Sequence, residues 1–330
     1  INGTGSHRAN TRTELIQMLG EEVVNNVEIV NHNAFDPESL VYLGLSASGV
    51  PVWVNRRYVE VDFRIVTGFI EPHFFAGFSG GAKGIVPGIA GIQTIQALHN
   101  ARLIGDPSST WVMLKSNPIH QGIQDAVRLS PPEFMVNVTL DQERHITNVF
   151  AGEYIKAHYA GCAWVARMAT QGVEEPFDIV ITSNNGYPLD QNLYQSVKGM
   201  TAAAQIVRPG GAIVTIAECR DGLPEHGNYK ALLQMRESPT ALLDLINGPD
   251  FQMHDQWQVQ KQALVQLQAD VYLHSSLPDD VVRAAQLLPA LDLQGTIDQL
   301  VQRFGPHARI AILPEGPVIV PYVATPSPTR

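Results

Sequence analysis

The chain reads as an α/β protein: two α/β domains with mostly parallel sheets. Three observations predict this. Its 330 residues exceed the usual size of a single domain. Hydrophobic residues make up 45% and charged residues 16%, a composition that buries cores and does not stay disordered. Beyond Pro176, short apolar runs alternate with helical patterns, as they do in parallel sheets covered by crossover helices.

The elements follow in order. Residues 11–26 (TRTELIQMLGEEVVNN) set Leu15, Ile16, Leu19, Val23 and Val24 on one helical face. EIVNH (28–32) and residues 50–70 are β-rich, the second with strand-like alternation. A glycine-rich segment, GFIEPHFFAGFSGGAKGIVPGIAG (68–91), then runs into a helical pattern over 92–105 that carries His99. An irregular middle region precedes a helix over 159–171. At Val173–Pro176 the pattern resets. FDIVITSNNG (177–186) is a buried strand ending in a turn, residues 192–207 form a helix, and 208–219 form a turn and a second strand. Residues 269–276 and 308–316 read as further strands, with helices over 279–288 and 296–303 between them. The expected division is 1–172, 173–315 and a tail, 316–330, that returns to the first domain. No solenoid repeat or coiled coil is visible.

Charge and cysteine usage exclude several classes. A net charge of −10 argues against nucleic acid as the main partner, because phosphate binding needs a basic face. Cys162 and Cys219 form no CxxC pair, which fits a reducing cytoplasm and excludes a cysteine metal cluster. No apolar run has membrane-spanning length and no secretory signal opens the sequence, so no membrane partner is expected. Ile1 is not a methionine, and INGTGSHR reads as a strand end entering a turn; upstream sequence is expected.

The chemistry concentrates in the glycine-rich segment. FSGGAKG departs from the nucleotide-binding spacing G-x-x-x-x-G-K-[ST], because Gly84 follows Lys83. Glycines such as Gly80 and Gly81 still let backbone N–H groups approach an anion or cofactor closely; the alternative is a tight structural turn. Lys83, among small apolar residues, is a nucleophile or attachment point if desolvated, or an ordinary surface lysine if not. His73, beside Phe74 and Phe75, can act as a base near neutral pH. His7 stands in a second glycine turn at a strand end, and His99 can ligate a metal through a ring nitrogen. Each of these histidines has a structural alternative, and the chain carries eleven in all. Residue chemistry alone therefore leaves the reaction unnamed.

The string GFIEPHFFAGFSGGAKGIVPG resembles the signature of the nickel-dependent lactate racemase family, which carries a nickel pincer nucleotide. The resemblance implies that His73 is a catalytic base and that Lys83 tethers the cofactor covalently through a thioamide. It implies that His99 in ALHN ligates the nickel and that His7 in GTGSHR is the partner base. In NGYPLDQNLYQSVKG, the resemblance implies that Gln195 and Lys198 help hold the substrate or cofactor, and that Trp257 is a cofactor-side tryptophan. The implied cofactor is pyridinium-3-thioamide-5-thiocarboxylic acid mononucleotide with Ni(II). The implied reaction takes hydride from the 2-carbon of a small 2-hydroxy acid and returns it to the other face of the planar keto acid. Cofactor-biosynthesis proteins are the implied partners.

Two departures stand out. Ala82 occupies a position where the family usually has arginine before the tether lysine. The family's carboxylate-binding arginine lies in an N-terminal segment that has no counterpart here, since Arg8 belongs to the His7 motif. Two rivals remain: an inactive cofactor-binding paralogue and a nicotinamide dehydrogenase. The second lacks a G-x-G-x-x-G turn after a strand.

Overall fold

The computed structural model describes residues 1–141, 143–224 and 227–324. The chain divides into two compact units, residues 1–99 with 108–166 and residues 100–107 with 167–330. The class is α/β, and the principal sheet is wholly parallel.

The first unit opens with α1 (Arg12–Leu19) and α2 (Glu21–Asn26). One continuous helix was expected here, but Gly20 interrupts it at φ 84°. The Thr11 side chain and Glu14 form a capping box that starts α1. Strands β1 (Leu40–Leu45) and β2 (Pro51–Asn55) pair antiparallel. The expected strand at 28–32 reduces to a single bridge between Asn2 and Asn31. Alternation over 50–70 is also broken, because Asn55 caps a short helix, α3 (Arg56–Glu60), before β3 (Ile65–Phe69). A hairpin of β4 (Pro72–His73) and β5 (Gly77–Phe78) follows. Next come α4 (Ile92–Leu98) and α5 (Ala101–Gly105), separated where Asn100 caps the new helix; α5 belongs to the second unit. The region read as irregular contains α6 (Pro118–Val127), β6 (Phe134–Leu140) and β7 (Ile146–Gly152). β6 is parallel to β3 and antiparallel to β7. Helix α7 (Tyr154–Ala169) starts five residues before the expected 159.

In the second unit, β8 (Thr170–Val173) leads to β9 (Phe177–Ser183), α8 (Leu193–Ala203) and β10 (Val207–Ile216). Then come α9 (Tyr229–Leu233), α10 (Pro239–Ile246), α11 (Gln256–Gln268), β11 (Ala269–His274), α12 (Asp279–Ala284), β12 (Leu288–Pro289), α13 (Leu293–Phe304), β13 (Ile310–Leu313) and β14 (Val320–Val323). The sheet order is β12-β11-β10-β9-β13, and β14 pairs separately with β8. Ile213, Val180 and Val271 on the sheet pack with Val197 and Met200 of α8 in the core. A cavity of about 550 Å³ lies at the carboxyl ends of β9, β10 and β11, lined by Ser183, Asp190, Glu218 and His274 among others. Ligands dock at this edge in open parallel sheets.

Helix α11 escaped the sequence reading because its glutamines resemble a solvated face. They are buried instead: Gln256, Gln258, Gln260 and Gln262 are all 3% exposed or less. The side-chain amides of three of them donate to backbone carbonyls, Gln258 to Tyr194 (2.5 Å), Gln260 to Ala101 (2.8 Å) and Gln262 to Ala285 (2.8 Å). Tyr229 also donates to Gln262 Oε1. The helix is thus a polar strut whose burial is tolerated because most of its amide groups are answered; Gln260 Oε1 has no hydrogen-bond partner among the described residues. Replacing Gln262 by Leu keeps the volume but orphans the Ala285 carbonyl and the Tyr229 hydroxyl. The expected loss is about 2–6 kcal/mol at 1–3 kcal/mol per orphaned group, read as a lower urea midpoint. An unchanged midpoint would refute the strut.

Candidate active site

The glycine-rich segment is held at both ends. At its start, Ser79 N–H donates to the Glu71 carbonyl, and Ser79 Oγ donates to the Phe69 carbonyl (3.0 Å). At its exit, Asn55 N–H donates to the Ile89 carbonyl and Gly91 N–H to the Trp53 carbonyl, fixing residues 89–91 beside β2. Between these anchors, Lys83 lies half-buried on a 3-10 turn, Gly81–Gly84.

The turn is gripped from inside by two buried residues that no local sequence pattern singles out. Asn137 on β6 is fully buried, and its Oδ1 accepts the Gly81 N–H at 2.7 Å. His158 on α7 is 2% exposed and donates from Nε2 to the Ser79 carbonyl at 2.8 Å. Gly81 has φ +53°, and a Cβ there would lie 2.5 Å from the His158 ring. Gly80 is closed on the same side by Asn137 Oδ1 and the Phe69 carbonyl. Both glycines therefore have a local steric reason to be glycine.

His73 is half-buried on the hairpin, between Phe74 (ring centroids 5.1 Å apart, stacked) and Phe75 (4.4 Å, edge-on). Its Nδ1 accepts the N–H groups of Phe75 (3.4 Å) and Ala76 (3.2 Å). The neutral ring consequently carries its proton on Nε2. His99 has the opposite tautomer. It is 5% exposed at the end of α4, and its Nδ1–H donates to the Ile95 carbonyl at 2.7 Å, leaving the lone pair on Nε2. The Phe75 ring also meets His99 edge-on at 5.2 Å, so one phenyl ring touches both imidazoles. Asn117 Nδ2 secures the Phe75 carbonyl at 2.9 Å.

The turn bearing His7 sits directly on this loop. Gly5 N–H donates to the Gly88 carbonyl at 2.8 Å, and Thr4 Oγ1 to the His32 carbonyl at 3.1 Å. Gly88 in turn lies so close to Gly84 that a Cβ would fall 2.1 Å from its carbonyl oxygen. His7 itself is exposed.

Three further expected residues lie in the second unit. Gln195 and Lys198 share one side of α8, three residues apart and half-buried. Trp257, in the first turn of α11, donates from Nε1 to Tyr194 Oη at 3.0 Å, joining the first turns of the two helices. Burial pushes the Tyr194 hydroxyl well above the usual tyrosine range. His254 stands edge-on to Trp257 at 5.1 Å, with Nδ1 3.3 Å from the Asp255 carboxylate. Tyr194 and His254 were not singled out from sequence, though both lie within three residues of ones that were.

The donor set at His99 suits a metal that brings most of its own ligands. Among the described residues, the one group of three His, Cys, Asp or Glu side chains close enough to share an ion is the exposed Asp141, Glu143 and His145 at the β6–β7 turn. A single imidazole lone pair beside a lysine-bearing loop therefore fits a tethered organometallic group better than a protein-built cage.

Comparison with known proteins decides the family. Residues 1–112 match the lactate racemase N-terminal domain and residues 173–320 the lactate racemase C-terminal domain. The chain is 37% identical to the lactate racemase of Thermoanaerobacterium thermosaccharolyticum, over 96% of this chain and 75% of the relative. This chain belongs to the lactate racemase family. Its identity to the lactate racemase of Lactiplantibacillus plantarum is 38%, over 95% of this chain and 74% of the relative. The solved lactate racemase apoprotein of T. thermosaccharolyticum superposes with a TM-score of 0.92, covering 97% of this chain and 77% of that one. A Thermotoga maritima protein at 21% identity and TM-score 0.74 shares the fold. Membership makes the chain an isomerase, a racemase. Among the described residues, no helix is long and apolar enough to cross a membrane.

A titration test arises from the histidines behind the loop. Desolvation lowers His32, His120 (to about 4) and His158 from the usual histidine value; His158 and Tyr159 are the groups facing His120. Between pH 6.5 and about 4 the unfolded chain takes up protons that the folded chain refuses. Stability is thus full above pH 6.5 and falls with acidification, by up to about 1.4 kcal/mol per pH unit for each such histidine. Urea midpoints measured from pH 7 to 4.5 should decline, and His120→Phe should flatten the decline. An identical slope in that variant would contradict the assignment.

Proposed function

We propose that this chain racemises or epimerises a small 2-hydroxy acid, with lactate the first candidate because its relatives are lactate racemases. A nickel pincer nucleotide attached at Lys83 is the cofactor. When bound, it would supply the acceptor and donor of hydride for the substrate 2-carbon. The observation that carries the reading is that one buried phenyl ring, Phe75, meets both His73 and His99 edge-on.

In this reading His99, held as the Nδ1–H tautomer by the Ile95 carbonyl, presents Nε2 to nickel. His73 is the general base that takes the substrate hydroxyl proton at Nε2. This needs the Nδ1–H tautomer, so the ring proton moves from Nε2 to Nδ1 and the Phe75 and Ala76 N–H contacts there, both 3.2 Å or longer, yield. His7 acts as partner for the other enantiomer, whose hydroxyl points elsewhere. Backbone around Gly80 and Gly81 comes close to the cofactor. Phe74 and Phe75, both buried, limit water at His73. Gln195 and Lys198 bind and orient the substrate, and Trp257 packs on the cofactor side. Cofactor-making enzymes load the protein in the cytoplasm, where the two buried cysteines stay as thiols.

Co-expression with the cofactor-making enzymes should give an intact-mass increase that maps to Lys83 and is lost in Lys83→Ala. His99→Ala should keep the adduct and lose nickel by elemental analysis. His73→Ala should lower kcat by about 10²–10⁴-fold, the usual range for a proton-transfer group. Loss of optical activity across a panel of chiral 2-hydroxy acids identifies the substrate. Wild-type protein that never acquires mass at Lys83 would end the reading.

A further inference from the structure

We propose that Asn137 and His158 are positioning residues for Lys83, forming a two-point clamp that fixes where the lysine amine emerges. The inference rests on reading Lys83 as the attachment point. The clamp itself is drawn from contacts that no catalytic role requires. Four residues before Lys83, His158 Nε2–H holds the Ser79 carbonyl (2.8 Å); two residues before it, Asn137 Oδ1 holds the Gly81 N–H (2.7 Å). Both side chains arrive from behind the loop, one from β6 and one from α7, and both are buried. The Asn137 amide is itself oriented, because Nδ2 donates to the Val136 carbonyl at 3.0 Å.

The geometry leaves the turn little room to shift. Glycine is required at Gly81 because the His158 ring occupies the space of a Cβ, and at Gly80 because Asn137 Oδ1 and the Phe69 carbonyl do. The Lys83 N–H closes on the Gly80 carbonyl (3.1 Å) and the Gly88 N–H on the Lys83 carbonyl (3.2 Å), so the lysine backbone inherits the position of the clamped turn. His158 is a costly choice for mere filling: among the described residues its buried Nδ1 has no hydrogen-bond partner, and an unanswered buried polar atom is unfavourable. An apolar side chain would fill that space without the orphan. What only the imidazole supplies is the Nε2–H donor to Ser79. Attachment of a group to an amine is fastest when the amine is held at a near-attack distance, and a residue that acts this way need not touch the group.

The test separates donor from bulk. Gln places an amide N–H near the position of Nε2, whereas Asn reproduces the position of Nδ1. His158→Gln should therefore behave as wild type, and His158→Asn and Asn137→Leu should release the turn. The first readout is acylation of Lys83 in the unloaded protein by limiting acetic anhydride, measured by mass spectrometry against the exposed Lys115 and Lys230. Release should raise Lys83 acylation at least about threefold as the half-buried amine gains solvent. The second readout is cofactor loading on co-expression, which should fall about tenfold in the same variants. Opposite movements of the two mark positioning; a purely structural role predicts a lower melting temperature with neither readout changed. Equal acylation in His158→Asn and His158→Gln overturns the proposal. Hydrogen exchange of the wild type tests it without any variant: the Gly81 amide should be strongly protected, and fast exchange there overturns the clamp even if the variants fail to fold. Should the wild type never load cofactor, the tether reading fails while acylation and exchange still judge the clamp.

Discussion

The N–H of Gly81 reaches Oδ1 of Asn137 across 2.7 Å inside the first unit, where both residues are buried. Much of the surrounding architecture depends on that contact. A loop this rich in glycine has high backbone entropy when unfolded, and it becomes ordered only if its amides find fixed partners. Asn137 supplies one and His158 holds the adjacent Ser79 carbonyl, while β2 and the Ser79 contacts hold the two ends. The segment is ordered by polar groups brought from distant parts of the chain, and its apolar residues fill in around them.

The same economy governs the imidazoles. Backbone groups set their tautomers: carbonyls receive the Nδ1–H of His99 and the Nε2–H of His158, and amide N–H groups point at Nδ1 of His73. One residue type thereby provides a lone pair in one place, a proton in another and a structural donor in a third. Phe75 is common to the first two and touches both rings.

In the second unit the organising element is the polar helix α11. Its buried amides bind carbonyls of Tyr194, Ala101 and Ala285, and its first-turn Trp257 is hydrogen-bonded to Tyr194. The first turn of α8, with Gln195 and nearby Lys198, is therefore coupled to α11 by specific bonds as well as by packing. Both helices lie within residues 173–320, which match the lactate racemase C-terminal domain.

Several features were legible in the linear sequence. The parallel strands at 177–183, 207–216 and 269–274 announce themselves because burial on both faces demands continuous apolar runs. The motif around His73, Lys83 and His99 identified the family because its residues lie close together in sequence. The sequence alone left α11 unassigned, since a buried glutamine and a solvated one look alike until a carbonyl is found opposite. It also passed over Asn137 and His158, which lie 56 residues from Gly81 and 79 from Ser79. Periodicity and local spacing record which face of an element is apolar and which residues neighbour it along the chain. The partner of a buried polar atom is set by closure of the fold over long separations, so only the tertiary structure could assign it.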